Sequence, residues 1–284
     1  MESNRLILFI IGDPIIDVWS SGQENDNGVW SSSLTEKRLG GAANTASNAR
    51  SILDDYFGYT FKQLPSRIHQ LIRLKYLNSE DNKTLTVWDY FGKQTEMYRF
   101  PGGTPLFSKR CFGSDMKGLI ISDYNKGTVN RLTRNVLPVF EFAVVDSKYR
   151  SLDMSWLHTS KIKIWHCTGS EYNKEWAENF DYVVWTNGSH TVNVSGGLND
   201  KGYRIHKHVP VPDTKVVDTI GAGDTFTAAV GAWLSHVMNQ GLTDDITFDD
   251  VYDATRFAIW CSQDVITKKY TAVCKRTLKQ YLEE

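Results

Sequence analysis

The 284-residue sequence has no cysteine pair at C-x-x-C spacing, no basic tract, no long apolar run and no Walker pattern. Each absence excludes something. The four cysteines, Cys111, Cys167, Cys261 and Cys274, lack the spacing of a small disulfide-stapled domain and read as reduced thiols of a cytoplasmic protein. A formal net charge of −1, with Lys and Arg scattered, gives no electrostatic footing for nucleic acid or a membrane surface. The N-terminal "RLILFIIGD" is apolar only from Leu6 to Ile11, too short for a signal-peptide core or a membrane span, and reads as a buried strand. No G-x-x-x-x-G-K-[ST] occurs, and there is no internal repeat or low-complexity segment.

What remains is ordinary globular composition, 41% hydrophobic and 23% charged, at a length that suits one large domain or two small ones. After the first strand a polar stretch rich in Ser, Asn and Gly, with Trp19 and Trp30, reads as an excursion from the core, a short hairpin. "LGGAANTASNARSILDD" reads as a helix that starts on Gly40 and Gly41, and "TLTVWDYFGKQTEMYRF" as a hairpin about Gly-Lys. "GLIISDY", "FEFAVVDS", "KIKIWHC" and "DYVVWTN" are short apolar runs that each end in a polar residue, with a helix expected around Val129 to Val136. Further helices are expected near Gly223–Met238 and Phe248–Ser262. Strands alternating with helices predict a mostly parallel α/β sheet, with ligands beyond the carboxyl ends of the strands, near Asp13, Asp17, Asp123, Asp146, Thr168, Glu171 and Thr186.

The most informative stretch is "VVDTIGAGDTF", Val216 to Phe226. Gly221 and Gly223 allow several N–H groups to converge, and a helix N-terminus adds partial positive charge, which together make an anion hole for a phosphoryl group. Asp224 stands where it can take the proton of an attacking hydroxyl, or where it simply caps the helix. A dinucleotide loop is a poor match, because Phe226 occupies the third glycine position of G-x-G-x-x-G.

"DTIGAGDTF" and "GGAANTASNA" resemble the C-terminal and N-terminal signatures of the ribokinase-like (PfkB) carbohydrate kinases, in the right order along the chain. "GDPIIDVW" and "SDYNKG" are most similar to the bacterial heptose 7-phosphate kinases. The resemblance covers most of the sequence. It implies a three-layer α/β/α fold with a mostly parallel central sheet and a small β-lid, one domain over residues 1–284, with lid segments at about 18–38 and 84–101. It implies Asp224 as catalytic base and the N–H groups of Gly221, Ala222 and Gly223 as the anion hole. Asp17, Gly40, Gly41 and Asn44 match sugar-binding positions, and Asp123 and Lys126 match substrate-side residues, Lys126 toward a substrate phosphate with Lys37 and Arg38 in reserve. As residues alone, Asp17 and Asn44 read equally as caps. Thr168, Glu171, Thr186, Gly188 and Thr219 match the nucleotide side, where Glu171 meets Mg²⁺ through water.

The implied activity is ATP-dependent phosphorylation of a sugar or sugar phosphate, foremost heptose 7-phosphate at its anomeric hydroxyl, using Mg²⁺ and, as a further expectation, a monovalent cation. A pentose phosphate or nucleoside is the alternative acceptor, and a non-catalytic binding descendant the alternative class. The sequence departs from the family at Thr168, which replaces an Asn, between Asp55 and Arg73, where a strand–helix–strand passage is shortened, and in the bulky "ITKKYTAV". The aromatics Trp19, Trp30, Trp88, Tyr90 and Tyr98 in the lid segments favour a homodimer formed through the lid.

Overall fold

The first apolar run becomes β1 (Ile7–Gly12), from which the chain leaves along two long strands, β2 (Pro14–Glu24) and β3 (Trp30–Gly40), and enters α1 (Gly41–Leu53). The structure is a computed structural model and describes residues 7–24, 30–53, 84–88, 94–99, 116–125, 129, 139–150, 152–198, 201–239 and 245–284. There follow β4 (Thr84–Trp88), β5 (Gln94–Arg99), β6 (Met116–Asp123), β7 (Phe140–Ser147), a 3₁₀ turn (Met154–Thr159) and β8 (Ser160–Thr168). The chain ends with α2 (Lys174–Ala177), β9 (Tyr182–Asn187), β10 (Thr191–Leu198), β11 (Arg204–Pro210), α3 (Ala222–Asn239), α4 (Phe248–Ile266) and α5 (Leu278–Glu283). The helix expected around Val129–Val136 and the shortened passage Asp55–Arg73 fall wholly or mostly outside the described residues.

Seven strands form the central sheet in the order β1-β6-β7-β8-β9-β10-β11. The first five run parallel, and β10 and β11 close one edge as an antiparallel hairpin. Both faces are covered, which is why the strands read as continuous apolar runs and not as alternating ones. Ile120, Phe142 and Val144 face the buried side chains of α1, α3 and α4, such as Ile52, Phe226, Ala229 and Phe257. Their neighbours Leu119, Ile121, Ala143 and Val145 face the opposite way, against Trp156, Leu157 and Ala177. These two cores make three layers, with the polar strand ends left at one edge. The apolar side of α4 is fixed at its start by a capping box, in which Thr247 and Asp250 satisfy each other's backbone N–H groups.

A second sheet of four strands, in the order β3-β2-β4-β5, grows from the end of β1. The polar excursion is therefore longer than a short hairpin: β2 and β3 are 11 residues each and pair antiparallel. The hairpin β4–β5 is antiparallel as expected, and it joins the excursion through a parallel pairing of β2 with β4. The edge hairpin β10–β11 was not anticipated from strand–helix alternation. Among the described residues, no helix is long and apolar enough to cross a membrane, and Cys167, Cys261 and Cys274 are free and buried.

Candidate active site

α3 begins at Ala222, so Asp224 lies inside its first turn and not before it. Its carboxylate does not cap the helix. Oδ2 accepts a hydrogen bond from Asn44 Nδ2 at 2.9 Å, and Oδ1 accepts from the Tyr124 hydroxyl at 2.9 Å and the Thr45 hydroxyl at 3.4 Å. Asn44 likewise lies within α1 and reaches across 180 residues of sequence, so neither side chain plays the capping role open to it. Asp224 is 4% exposed. Burial pushes its pKa up, the Asn44 hydrogen bond resists, the nearby Asp146 charge adds to the rise, and Lys148 and Tyr124 oppose it, leaving a value of about 7. A carboxyl poised near neutrality suits a general base for a hydroxyl.

The turn before α3 is held in a conformation that needs glycine. Gly221 has φ +80°, and a Cβ there would meet Asn44 Nδ2 at 2.8 Å and Thr271 Cγ2 at 2.9 Å. Asp218 latches this turn to the segment after α4, accepting from Ile220 N–H at 3.0 Å and from Tyr270 N–H at 3.0 Å. Ala222 N–H donates to Thr219 O at 3.2 Å, so that amide closes the turn. The N–H groups of Gly221 and Gly223 have no backbone acceptor among the described residues, and they lie at the positive end of an 18-residue helix.

Beside the turn lie the ends of β7 and β8. Lys148 follows β7 directly, its N–H pinned to Asp123 O at 3.0 Å and its Nζ 3.5 Å from Asp146 Oδ1. The ammonium also stands 5.6 Å from the centre of the Tyr124 ring. Burial pulls the Lys148 pKa down, but the carboxylates of Asp146, Glu171 and Asp224 outweigh it and hold the ammonium charged well above its usual range. His166, from β8, stacks on Phe226 at 4.5 Å, and its Nδ1 pairs with Thr227 Oγ1 at 2.9 Å. Burial holds this imidazole neutral, with a pKa of about 4. Asp146 Oδ1 and His166 Nε2 are both buried and lack a hydrogen-bond partner among the described residues.

These groups open on a cavity of about 740 Å³ lined by Thr168, Thr186, Gly188 and Thr219 together with Lys148, His166, Gly221, Ala222, Gly223 and Asp224. The wall also carries the apolar side chains Val192, Val211, Val216, Ile259 and Ile266. A cavity of this size with a few polar groups among apolar walls suits a small-molecule ligand. Glu171 Oε2 accepts from Thr168 N–H at 2.8 Å, which holds the carboxylate at the strand end. Among the described residues no three His, Cys, Asp or Glu side chains gather as a metal cage. A single oriented carboxylate fits Mg²⁺, which keeps most of its waters and binds along with phosphates.

The family model for pfkB family carbohydrate kinases matches residues 170–278, a stretch that contains Glu171, the glycine turn and Asp224. Among solved structures, a ribokinase from Thermotoga maritima is 15% identical, covering 99% of this chain and 100% of that one, with TM-score 0.62. A Vibrio cholerae fructokinase, solved with fructose, ADP and calcium ion bound, is also 15% identical, with 99% of each chain covered and TM-score 0.60. A nucleoside kinase from Burkholderia thailandensis, in complex with inosine, is 15% identical over 95% of each chain, with TM-score 0.58. No curated protein sequence matches.

The fold is ribokinase-like.

The family model matches less than half of the chain, and at 15% identity the likeness to the solved kinases is one of fold. On the other side of the ribokinase-like core, Gly41 opens α1 at φ +55°, where a Cβ would lie 2.4 Å from Asp13 O. Gly40, the last residue of β3, pairs with Ile15. Asp17 is in β2, opposite Arg38 and Thr86, and Arg38 is exposed. Asp123 is buried at the end of β6, where Oδ1 accepts from Asn125 N–H at 2.9 Å and Oδ2 from the Ser147 hydroxyl at 2.8 Å. Lys126 lies outside the described residues, as does the side chain of Lys37. The sequence reading had no role for Tyr124, Lys148 and His166. Tyr124 and Lys148 directly follow expected strands and His166 lies near the end of another, and those positions were the available signal.

Proposed function

We propose that the protein is an ATP-dependent kinase that transfers the γ-phosphoryl group to a hydroxyl of a sugar or sugar phosphate, with heptose 7-phosphate, at its anomeric hydroxyl, the leading acceptor. One observation supports this reading above the others: a buried carboxyl of pKa about 7, Asp224, stands in the first helical turn behind Gly221 and Gly223, facing the cavity. Asp224 takes the acceptor hydroxyl's proton as the hydroxyl oxygen forms its bond to the γ-phosphorus. The bond from that phosphorus to the β–γ bridging oxygen breaks, and ADP leaves with the electron pair. The transition state is loose, so positioning and charge contribute more than base strength. The N–H groups of Gly221 and Gly223 meet the non-bridging oxygens, with the helix N-terminus behind them. Glu171 would hold a nucleotide-bound Mg²⁺ through water, and that ion would supply charge neutralisation at the phosphates; a monovalent cation belongs to the same reading.

On the acceptor side the reading assigns Asp17, Gly40, Gly41, Asn44 and Asp123 to the sugar, and Lys126 to its distal phosphate. The four-stranded sheet acts as a lid that excludes water, and its edge strands pair two copies into a homodimer. The test is ATP turnover over a panel of sugars, sugar phosphates including heptose 7-phosphate and pentose 5-phosphates, and nucleosides. Turnover confined to nucleosides would replace the sugar, and ATP binding without turnover on any acceptor would make the chain a non-catalytic descendant. Light scattering at micromolar concentration tests the dimer, and a monomer overturns that part.

A further inference from the structure

We infer that Lys148 is a catalytic residue, the fixed cation that contacts the γ-phosphoryl group as it moves between ADP and the acceptor. The inference rests on the kinase reading above and adds a residue to it. Among the described residues lining the cavity, Lys148 is the only Lys or Arg. His166, on the same wall, is neutral at physiological pH because of its burial. Among the described residues, a triphosphate bound here would meet one full positive charge, and its place decides which phosphate it serves.

That place is beside the glycine turn. Nζ lies 3.6 Å from the point where a Cβ on Gly223 would stand, which sets it at the same spot as the N–H groups at the start of α3. Asp224 contributes to the field that keeps Lys148 charged, so base and cation are neighbours across the position of the moving group. The aromatic ring beneath Nζ belongs to Tyr124, whose hydroxyl holds Asp224 at 2.9 Å. The ammonium is anchored on one side by Asp146, at 3.5 Å, and its side chain keeps 22% exposure, so N–H donors remain for a ligand. Among the described residues Asp146 Oδ1 has no hydrogen bond, so the pair is held as an ion contact. Lys148 gives up no proton: its N–H groups stabilise charge on the non-bridging oxygens, while the hydroxyl proton goes to Asp224 and the broken P–O bond's electrons leave on ADP.

The obvious objection is that Lys148 only neutralises Asp146. A pair of variants separates the two roles. Lys148→Met alone strands a buried carboxylate and lowers stability, whereas Lys148→Met combined with Asp146→Asn removes both charges and restores folding. The double variant is expected to melt near the unmutated protein and to bind ADP normally. It is also expected to lose roughly 10²–10³-fold in kcat, the usual cost of one transition-state donor. It should further lose any preference for the β,γ-imido analogue of ATP over ADP, measured by calorimetry, which needs no acceptor. Lys148→Arg should retain part of both. Wild-type turnover and an intact preference in the double variant would overturn the role of Lys148 and leave the kinase reading standing. An unmutated protein that binds neither the analogue nor ADP overturns the kinase reading and Lys148's role with it.

Discussion

The two walls that meet at Asp224 are built on opposite principles. On the α1–β6 wall the side chains around the base are spent on one another, with Ser122 Oγ the unpartnered exception among the described residues. Asn48 donates to Asn44 Oδ1 and O, both at 3.0 Å, Asn44 donates to Asp224, and the two Asp123 oxygens accept from Asn125 and Ser147. On the β7–β8 wall the same depth of burial leaves Asp146 Oδ1 and His166 Nε2 without hydrogen bonds and an ammonium held charged by three carboxylates. Satisfied polar networks fix geometry, while unsatisfied buried groups cost stability unless a ligand completes them. One wall therefore fixes the proposed base, and the other carries the ammonium that we propose meets the phosphoryl group.

Removing the group where the walls meet gives the largest effect. Asp224→Asn keeps the size and can still face Asn44, but cannot take a proton, so kcat should fall by ~10²–10⁴-fold with ADP binding little changed. Stability should move the other way. Asp224 binds its proton more tightly folded than unfolded, since its pKa rises from 3.8 to about 7. Stability present at acid pH is therefore lost as pH climbs between these values, and the variant should lack that loss. Melting curves at pH 5 and pH 8 check it. Near-normal turnover in this variant would sink the assignment of the base.

Next in size is a change to the turn that both walls share. Gly221→Ala forces a side chain into φ +80° and against Asn44 and Thr271. A strained backbone of this kind costs roughly 1–3 kcal/mol, and displacing the anion hole should cost on the order of 10²-fold in kcat. If the variant keeps both its melting temperature and its rate, the turn is not the phosphoryl site.

Tyr124→Phe is gentler and acts on one wall's hold over the base. The lost hydroxyl bond favoured the carboxylate, so the Asp224 pKa should rise further above about 7. The acidic limb of the kcat profile should then shift to higher pH, with the rate at pH 6 falling more than the rate at pH 9. A profile that keeps its limb would detach Tyr124 from the titration.

How much of this was legible in sequence follows from what each feature needs. The strands β1, β6, β7, β8 and β9 were readable because burial on both faces forces continuous apolar runs with polar ends. The helices α1, α3 and α4 carried glycine starts or long apolar stretches, and the turn around Gly221 announced itself by composition. The hairpin β10–β11 hid because strand–helix alternation implied a helix after β9, although Gly196–Gly197 with "NDKGY" beyond it marks a turn. Lys148 hid for a different reason. A lone Lys after a strand looks like any solvated surface residue, and its charge acquires meaning only when folding brings Asp146, Glu171 and Asp224 around it.

The smallest expected effect sharpens the contrast from the satisfied side. Asn48 is fully buried, and besides holding Asn44 it accepts Cys274 N–H at 2.8 Å, which ties α1 to the segment before α5. Asn48→Ala leaves that backbone donor and the Asn44 oxygen without partners, at a cost of about 1–3 kcal/mol by the usual penalty for an unsatisfied buried group. Asn44 keeps its own bond to Asp224, so the base stays in place and kcat should change by less than about tenfold, the worth of roughly 1.4 kcal/mol in a barrier. The acidic limb and the preference for the ATP analogue over ADP should not move, because neither depends on this wall's inner hydrogen bonds. Denaturant melts beside a pH–rate profile decide the matter. A large stability loss with an unmoved profile shows a wall that aims the base by rigidity alone, whereas a shifted limb would mean that the charge state of Asp224 is set from both sides.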